Sequence, residues 1–123
     1  MLESSDLVAF VPATDLRRAR AYEQTLGLPV LEHNELACVL DAHGTTLRVT
    51  AVPVVAHGGY TVLGWRAADI EAEVGALATR GVAFLRYDGL SQDGHGIWTT
   101  PAGDKVAWFA DPDGNTLSLT RYA

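Results

Sequence analysis

Side chains that bind metals or act as nucleophiles are few in this sequence and widely spaced. The four histidines are His33, His43, His57 and His95, and no two have the spacing that places paired imidazoles on one helix face. We therefore expect them to be surface residues at strand ends, in turns and in loops. His95 lies between two glycines in a segment that could fold over a ligand, so a displaced metal site or a proton-transfer role stays open for it.

The only cysteine, Cys38, allows no intrachain disulfide and gives no indication of an oxidising compartment. It lies in a predicted strand, where a lone cysteine is usually a small buried hydrophobic residue. The alternative is a thiolate nucleophile assisted by His43 in the same hairpin. Asp111 and Asp113 lie close together, but turn formation accounts for both, and the sequence contains no nucleophile elbow or phosphate-binding loop.

Composition limits the classes of protein to consider. The 123 residues are 48% hydrophobic and 20% charged, which suits one globular domain covering residues 1–123. The net charge of −6 and the scattered arginines argue against nucleic-acid binding. The acidic amino terminus does not resemble a signal peptide, and the apolar stretch Val49–Ala56 is too short to cross a bilayer. We therefore predict a soluble, cytoplasmic protein that does not bind membranes.

The sequence repeats at an offset of 54 positions. Equivalent pairs are Val8 and Val62, Asp15 and Asp69, and Gly27 and Gly81. Each copy reads as a strand, a helix that begins at Asp, a glycine that ends the helix, and further strands. We predict repeat one at about 7–52, a linker at 53–59 and repeat two at about 60–121. The predicted element order is βαβββ twice.

Apolar spacing and turn residues locate the elements. A helix should begin at Thr14 or Asp15 and end before Gly27, and a second should begin at Asp69 and end at Gly81. Their predicted apolar stripes are Leu16, Ala19, Tyr22 and Leu26, then Ile70, Val74, Leu77 and Ala78. The predicted strands are 7–11, 28–33, 36–41, 47–52, 60–66, 82–86, 97–100, 105–110 and 116–120. Segment 87–96 should be a mobile loop, and 42–44 and 111–115 should be tight turns.

Three motifs resemble the vicinal oxygen chelate superfamily, which includes glyoxalase I, extradiol dioxygenases and bleomycin-binding proteins. The motifs are Asp15–Leu28, Asp69–Val82 and Trp108–Asn115. The resemblance implies an α+β fold in which two βαβββ repeats form a curved mixed and antiparallel sheet. The sheet is a cup with helices on its outer face. The resemblance also implies a homodimer.

Metal-dependent members of this superfamily place four ligands on the cup face. The resemblance assigns those positions here to Val8, Arg48, Val62 and Ser118. Valine has no donor atom, arginine carries a positive charge, and a lone serine hydroxyl is a poor ligand. The sequence therefore predicts no metal, no cofactor and no catalytic residue of that type.

Strand alternation identifies the side chains expected to line the cup. The predicted ligand-binding residues are Phe10, Arg48, Thr50, Tyr60, Val62, Arg66, Trp98, Trp108 and Ser118, whereas Trp65, Phe109, Leu117 and Leu119 should pack beneath the helices. The predicted function is metal-independent binding of a hydrophobic, aromatic small molecule, with antibiotic sequestration as the role.

Three alternatives stay open. The first is a glyoxalase, lyase or dioxygenase with a displaced metal site. The second is a metal-free isomerase or cyclase that uses Tyr60 or His95 to carry a proton. The third is a regulatory or interaction module.

Overall fold

Each half of the chain forms a four-stranded mixed sheet, and the two sheets have the same strand order. The computed structural model describes residues 1–123 and divides into two units, Met1–His57 and Gly58–Ala123. The sheet orders are β1-β4-β3-β2 and β5-β8-β7-β6, with the first and last strand of each unit parallel. The elements of the first unit are β1 (Val8–Ala13), α1 (Ala21–Gln24), β2 (Val30–His33), β3 (Ala37–Ala42) and β4 (Thr45–Ala51). Those of the second are β5 (Thr61–Arg66), α2 (Ile70–Thr79), β6 (Trp98–Thr99), β7 (Lys105–Ala110) and β8 (Thr116–Arg121). The predicted α+β class and βαβββ order are confirmed.

The second helix forms as its sequence predicts. The Asp69 carboxylate accepts a hydrogen bond from the backbone N–H of Ala72, at 3.1 Å, and so caps the first turn. At the other end Gly81 adopts φ +93°, and the N–H of Val82 bonds back to the carbonyl of Leu77. Ile70 and Val74 are buried, and α2 packs on β7 and β8. Ala78, predicted to be buried, is exposed at the edge of this stripe.

The first helix is much shorter than predicted. Residues Arg18–Arg20 form a 3₁₀ turn that continues into α1, and the segment ends at Gly27, which has φ +79°. The apolar residues Leu16, Ala19 and Tyr22 are spaced by three, which is the period of a 3₁₀ helix rather than of an α-helix. Ala19 and Tyr22 are buried nonetheless, so the predicted packing face is retained.

Segment 82–86 does not form the predicted strand. Phe84 makes a single bridge to Phe109, and the N–H of Leu85 bonds to the carbonyl of Trp108. The rest of that edge of β7 is paired with β6. The first unit has no insertion like segment 87–96, and β2 is the only strand that pairs with that edge of β3.

The two predicted turns are present. His43 and Gly44 both have positive φ and connect β3 to β4 as a two-residue loop. In the turn before β8, the Asp111 carboxylate accepts hydrogen bonds from the backbone N–H groups of Asp113 and Asn115, and Gly114 has φ +82°. Both turns fix the register of the strands that carry the candidate site residues.

Candidate functional site

Each sheet has one buried face and one open face, and the strand register decides which residues occupy them. In the second unit Trp65 pairs with Leu119 and Ala107 follows in the same row, while Phe109 pairs with Leu117. These residues form the buried face, where the rings of Trp65 and Phe109 stack at 6.5 Å. The alternate residues form the second open face: Gly64, Arg66, Trp98, Val106, Trp108, Ser118 and Thr120.

Aromatic rings cluster on the second open face. Trp98 and Trp108 stack with their ring centroids 6.2 Å apart and their planes inclined by 26°. Tyr87 meets Trp108 edge-on, at 5.3 Å. Trp98, whose orientation the sequence left open, therefore lies on the same side as Trp108. Tyr87 was missed, because it belongs to the segment that the sequence predicts to be a mobile loop.

That segment is held by side-chain hydrogen bonds instead. The Gln92 amide donates to the carbonyls of Leu85 and Gly96 and accepts from the N–H of Tyr87. The Asp93 carboxylate accepts from the N–H groups of His95 and Ile97. Burial acts to raise the pKa of Asp93, but these two hydrogen bonds together with the charges of His95 and Arg86 outweigh it, and the pKa lies below its usual value.

Beside the aromatic cluster lies a pocket of about 320 Å³ lined by Gly64, Trp65, Arg66, Ser118, Thr120 and Tyr122. Ser118 is 8% exposed, and its hydroxyl makes no hydrogen bond to the protein but is accessible from the pocket. A Cβ atom on Gly64 would lie 2.6 Å from the Ser118 Oγ, so the hydroxyl occupies space that only glycine leaves free. The Arg66 guanidinium lies 5.2 Å from the centre of the Tyr122 ring and forms no salt bridge.

The start of β5 departs from the prediction for Tyr60. Strand alternation placed Tyr60 beside Val62 and Gly64, but Tyr60 precedes the strand, and the register shifts between Thr61 and Leu63. The Tyr60 ring instead lies over Gly58, where an added Cβ would collide with it at 1.9 Å, and 67% of Tyr60 is exposed. Val62 sits at the bulge, so alternation from Gly64 does not fix its direction.

The first open face carries a cation without a partner. Phe10 pairs with Arg48 across β1 and β4, and Arg48 pairs with Val39 on β3. Arg48 is half-buried and forms no salt bridge or hydrogen bond with the protein. Val8 and Phe10 on the same face are 43% and 61% exposed. A half-buried arginine without a protein partner, next to Phe10 in the strand register, is suited to binding an anion or a polarised oxygen.

Thr50 also lies on this face, but its hydroxyl is less accessible to a ligand than we expected. Its register partners are Pro12 and Ala37, and its hydroxyl oxygen is buried without any hydrogen-bond partner. A ligand can use this hydroxyl only if the neighbouring side chains move.

The residues with metal-binding or nucleophilic chemistry do not form a cluster. All four histidines are exposed, and nowhere do three or more His, Cys, Asp or Glu side chains lie close enough to hold an ion. Cys38 is 2% exposed on the buried face of the first sheet, and burial raises the pKa of its thiol. The structure also contains no helix of the length and hydropathy needed to cross a membrane.

Comparison with known proteins gives matches at the level of structure. No family model and no curated sequence matches the chain. The solved structure of TnmS3, an antibiotic binding protein from Streptomyces sp. CB03234, is 27% identical with a TM-score of 0.72, covering 100% of this chain and 99% of that one.

Two further solved structures carry the superfamily name. A glyoxalase/bleomycin resistance protein/dioxygenase superfamily member from Sphaerobacter thermophilus is 22% identical, with a TM-score of 0.71 and coverage of 98% and 99%. A glyoxalase/bleomycin resistance protein/dioxygenase from Alicyclobacillus acidocaldarius is 20% identical, with a TM-score of 0.70 and coverage of 97% and 92%. The chain has the fold of the glyoxalase/bleomycin resistance protein/dioxygenase superfamily, as its motifs predict.

Proposed function

We propose that this protein binds a hydrophobic, aromatic small molecule without the help of a metal ion. The observation that carries the proposal is the cluster of Tyr87, Trp98 and Trp108 on the second open face. Stacked, partly exposed tryptophans leave ring faces and edges with which a planar ligand can stack. Such groups, next to a few polar side chains, are the usual lining of a small-molecule site.

Residue chemistry supports the metal-free part of the proposal. The positions that the resemblance assigns to metal ligands hold Val8, Arg48, Val62 and Ser118. The Arg48 guanidinium would repel a divalent cation, and its lack of a protein partner fits a ligand carrying negative charge or a polarised oxygen.

The role we propose is sequestration of an antibiotic. The structural neighbour TnmS3 is described as an antibiotic binding protein, and its similarity covers the whole of both chains. Sequestration needs a binding surface but no catalytic group, and the two open faces are candidates for such a surface. A cytoplasmic location and a homodimer complete the proposal as predictions from the sequence.

Titration of intrinsic tryptophan fluorescence against a panel of aromatic antibiotics tests this proposal. We expect saturable quenching at micromolar concentrations by at least one planar compound. Trp108→Leu should weaken that binding by about tenfold, because base-sized rings gain on the order of 1–3 kcal/mol from stacking on an aromatic side chain.

Phe84→Leu is the matched control. Phe84 packs against Phe109 on the buried side, with ring centroids 5.7 Å apart, so its loss removes an aromatic ring from the core and not from the open face. This variant should retain the affinity of the parent. Absence of saturable binding across the panel, or equal losses in both variants, would contradict the proposal.

A further inference from the structure

The pocket beside the tryptophans contains a positive charge that the protein leaves unpaired. Arg66 lines this pocket and forms no salt bridge, and its guanidinium is held near the Tyr122 ring. The strand positions that share its face hold no carboxylate, since they are occupied by Gly64, Val106, Trp108, Ser118 and Thr120. A ligand anion would therefore meet one cation and no competing acid on this face.

A second group in the pocket lacks a partner. Ser118 is more than nine-tenths buried, its hydroxyl has no hydrogen-bond partner in the protein, and it points to the space above Gly64. A hydroxyl left free in this way can donate a hydrogen bond to a ligand in the pocket. A ligand oxygen placed between Ser118 and Arg66 would accept a hydrogen bond from each.

The strand register determines where Ser118 and Arg66 lie relative to the two stacked tryptophans. Gly64 pairs with Ser118, and Ser118 pairs with Trp108, so the three residues form one row across β5, β8 and β7. Arg66 and Trp98 belong to the next row, at its two ends. Strands lie about 4.8 Å apart, so β5 and β7 are separated by roughly 10 Å. Three linearly fused rings with an acidic group at one end span a similar length.

We propose that the ligand is a planar aromatic acid. Its rings stack on Trp98 and Trp108, and its carboxylate or phenolate oxygen binds the Arg66 guanidinium and the Ser118 hydroxyl. The inference rests on the proposed function and adds to it the chemical class of the ligand and its orientation. The Tyr122 ring lies against this guanidinium in a cation–π contact.

The experiment compares two probes of nearly the same shape, one with an anionic and one with a neutral polar group. Anthracene-2-carboxylate and anthracene-2-carboxamide are titrated with the full-length protein at low ionic strength, and binding is followed by the fluorescence of the anthracene ring. We expect the carboxylate to bind about tenfold more tightly than the carboxamide, since charge-assisted hydrogen bonds are about twice as strong as neutral ones. This preference should shrink as salt is added.

Arg66→Gln should remove the preference by weakening only carboxylate binding. Arg121→Gln is the matched control, because it makes the same change in net charge on the same sheet. Arg121 pairs with Lys105 and follows Thr120, so it points to the opposite face. It should leave both affinities within about twofold of the parent, because exposed charges at this distance are largely screened. Circular dichroism and thermal melting check that each variant is folded.

The outcomes separate the inference from the proposed function. Equal affinity for both probes, or an Arg66→Gln variant that loses both equally, overturns the inference and leaves aromatic binding intact. Loss of the preference in Arg121→Gln as well as in Arg66→Gln also overturns it. If neither probe binds and no compound of the antibiotic panel binds either, both the inference and the proposed function fail.

Discussion

At the scale of single residues, neighbours in sequence have opposite roles. Trp108 faces the open side of β7, whereas Phe109 stacks on Trp65 within the buried side. Alternation along a strand is enough to predict this difference, because consecutive side chains must point to opposite faces. Alternation does not predict the direction of Tyr60, since that residue precedes the strand. Whether these side chains contact a ligand is still a prediction.

Gly64 gives a prediction at this scale. In Gly64→Ala the new methyl group would lie 2.6 Å from the Ser118 Oγ, so the hydroxyl must turn away from the pocket. We expect about fivefold weaker binding of a ligand that uses this hydroxyl, corresponding to the loss of about one hydrogen bond. Titration of anthracene-2-carboxylate measures the change.

Gly75→Ala is the control for this substitution. Gly75 lies inside α2, and an added Cβ would have no atom within 4 Å. This variant should keep its affinity and gain stability of about 1 kcal/mol, as expected for alanine in a helix. Unchanged binding in Gly64→Ala would show that Ser118 does not contribute to the site.

At the scale of elements, the sequence predicts those parts that depend on local chemistry. The Asp69 cap, the Gly81 helix end and the Asp111–Asn115 turn all form as predicted, because each is completed by residues close in sequence. Segment 82–86 does not form a strand because β6 pairs with most of that edge of β7. The local sequence pattern of 82–86 does not indicate which segment will pair there. Gln92 orders loop 87–96 through partners that are also near in sequence, but these are the backbone carbonyls of Leu85 and Gly96. Because every residue has a carbonyl, no sequence motif marks these partners.

Gln92→Glu tests this view of the loop. The carboxylate would replace the amide group that donates to two carbonyl oxygens, at 2.9 and 2.8 Å, and would repel both. We expect a loss of about 2 kcal/mol in the free energy of unfolding, as for other part-buried groups that lose their partners. Chemical denaturation measures this loss.

Gln24→Glu, at an exposed position of α1, makes the same chemical change where the side chain makes no such contacts. It should shift the free energy of unfolding by no more than about 0.5 kcal/mol. Similar losses in the two variants would mean that Gln92 does not hold the loop.

At the scale of the whole molecule, the repeat is the feature that the sequence predicts best. The offset that aligns Val8 with Val62 corresponds to two sheets with the same strand order. The side chains of the candidate site are not repeated between the two units. The stacked tryptophans occur in the second unit and the half-buried unpaired arginine, Arg48, in the first. Sequence similarity between the copies therefore predicts architecture but not the ligand, which depends on side chains that differ between them.

Metal content gives a prediction for the intact protein. Protein purified without chelators should contain well under one equivalent of Zn, Ni, Mn or Fe by elemental analysis, because the positions expected to ligate a metal lack suitable donors. Prior treatment with EDTA should leave the affinity for an aromatic ligand within about twofold, since electrostatic and stacking contacts do not require an ion. A stoichiometric metal whose removal abolishes binding would favour the displaced-site enzyme instead.

The terminal strands of the two sheets bear on how the chain avoids aggregation. β1 and β5 each form one edge of their sheet, and each is irregular: β1 contains Pro12, and β5 carries the register shift next to Val62. Proline has no N–H to donate, and a bulge interrupts the even spacing of donors and acceptors. An extended segment of a foreign polypeptide would find a broken template at either of these two edges, which discourages fibril-like growth by strand addition there.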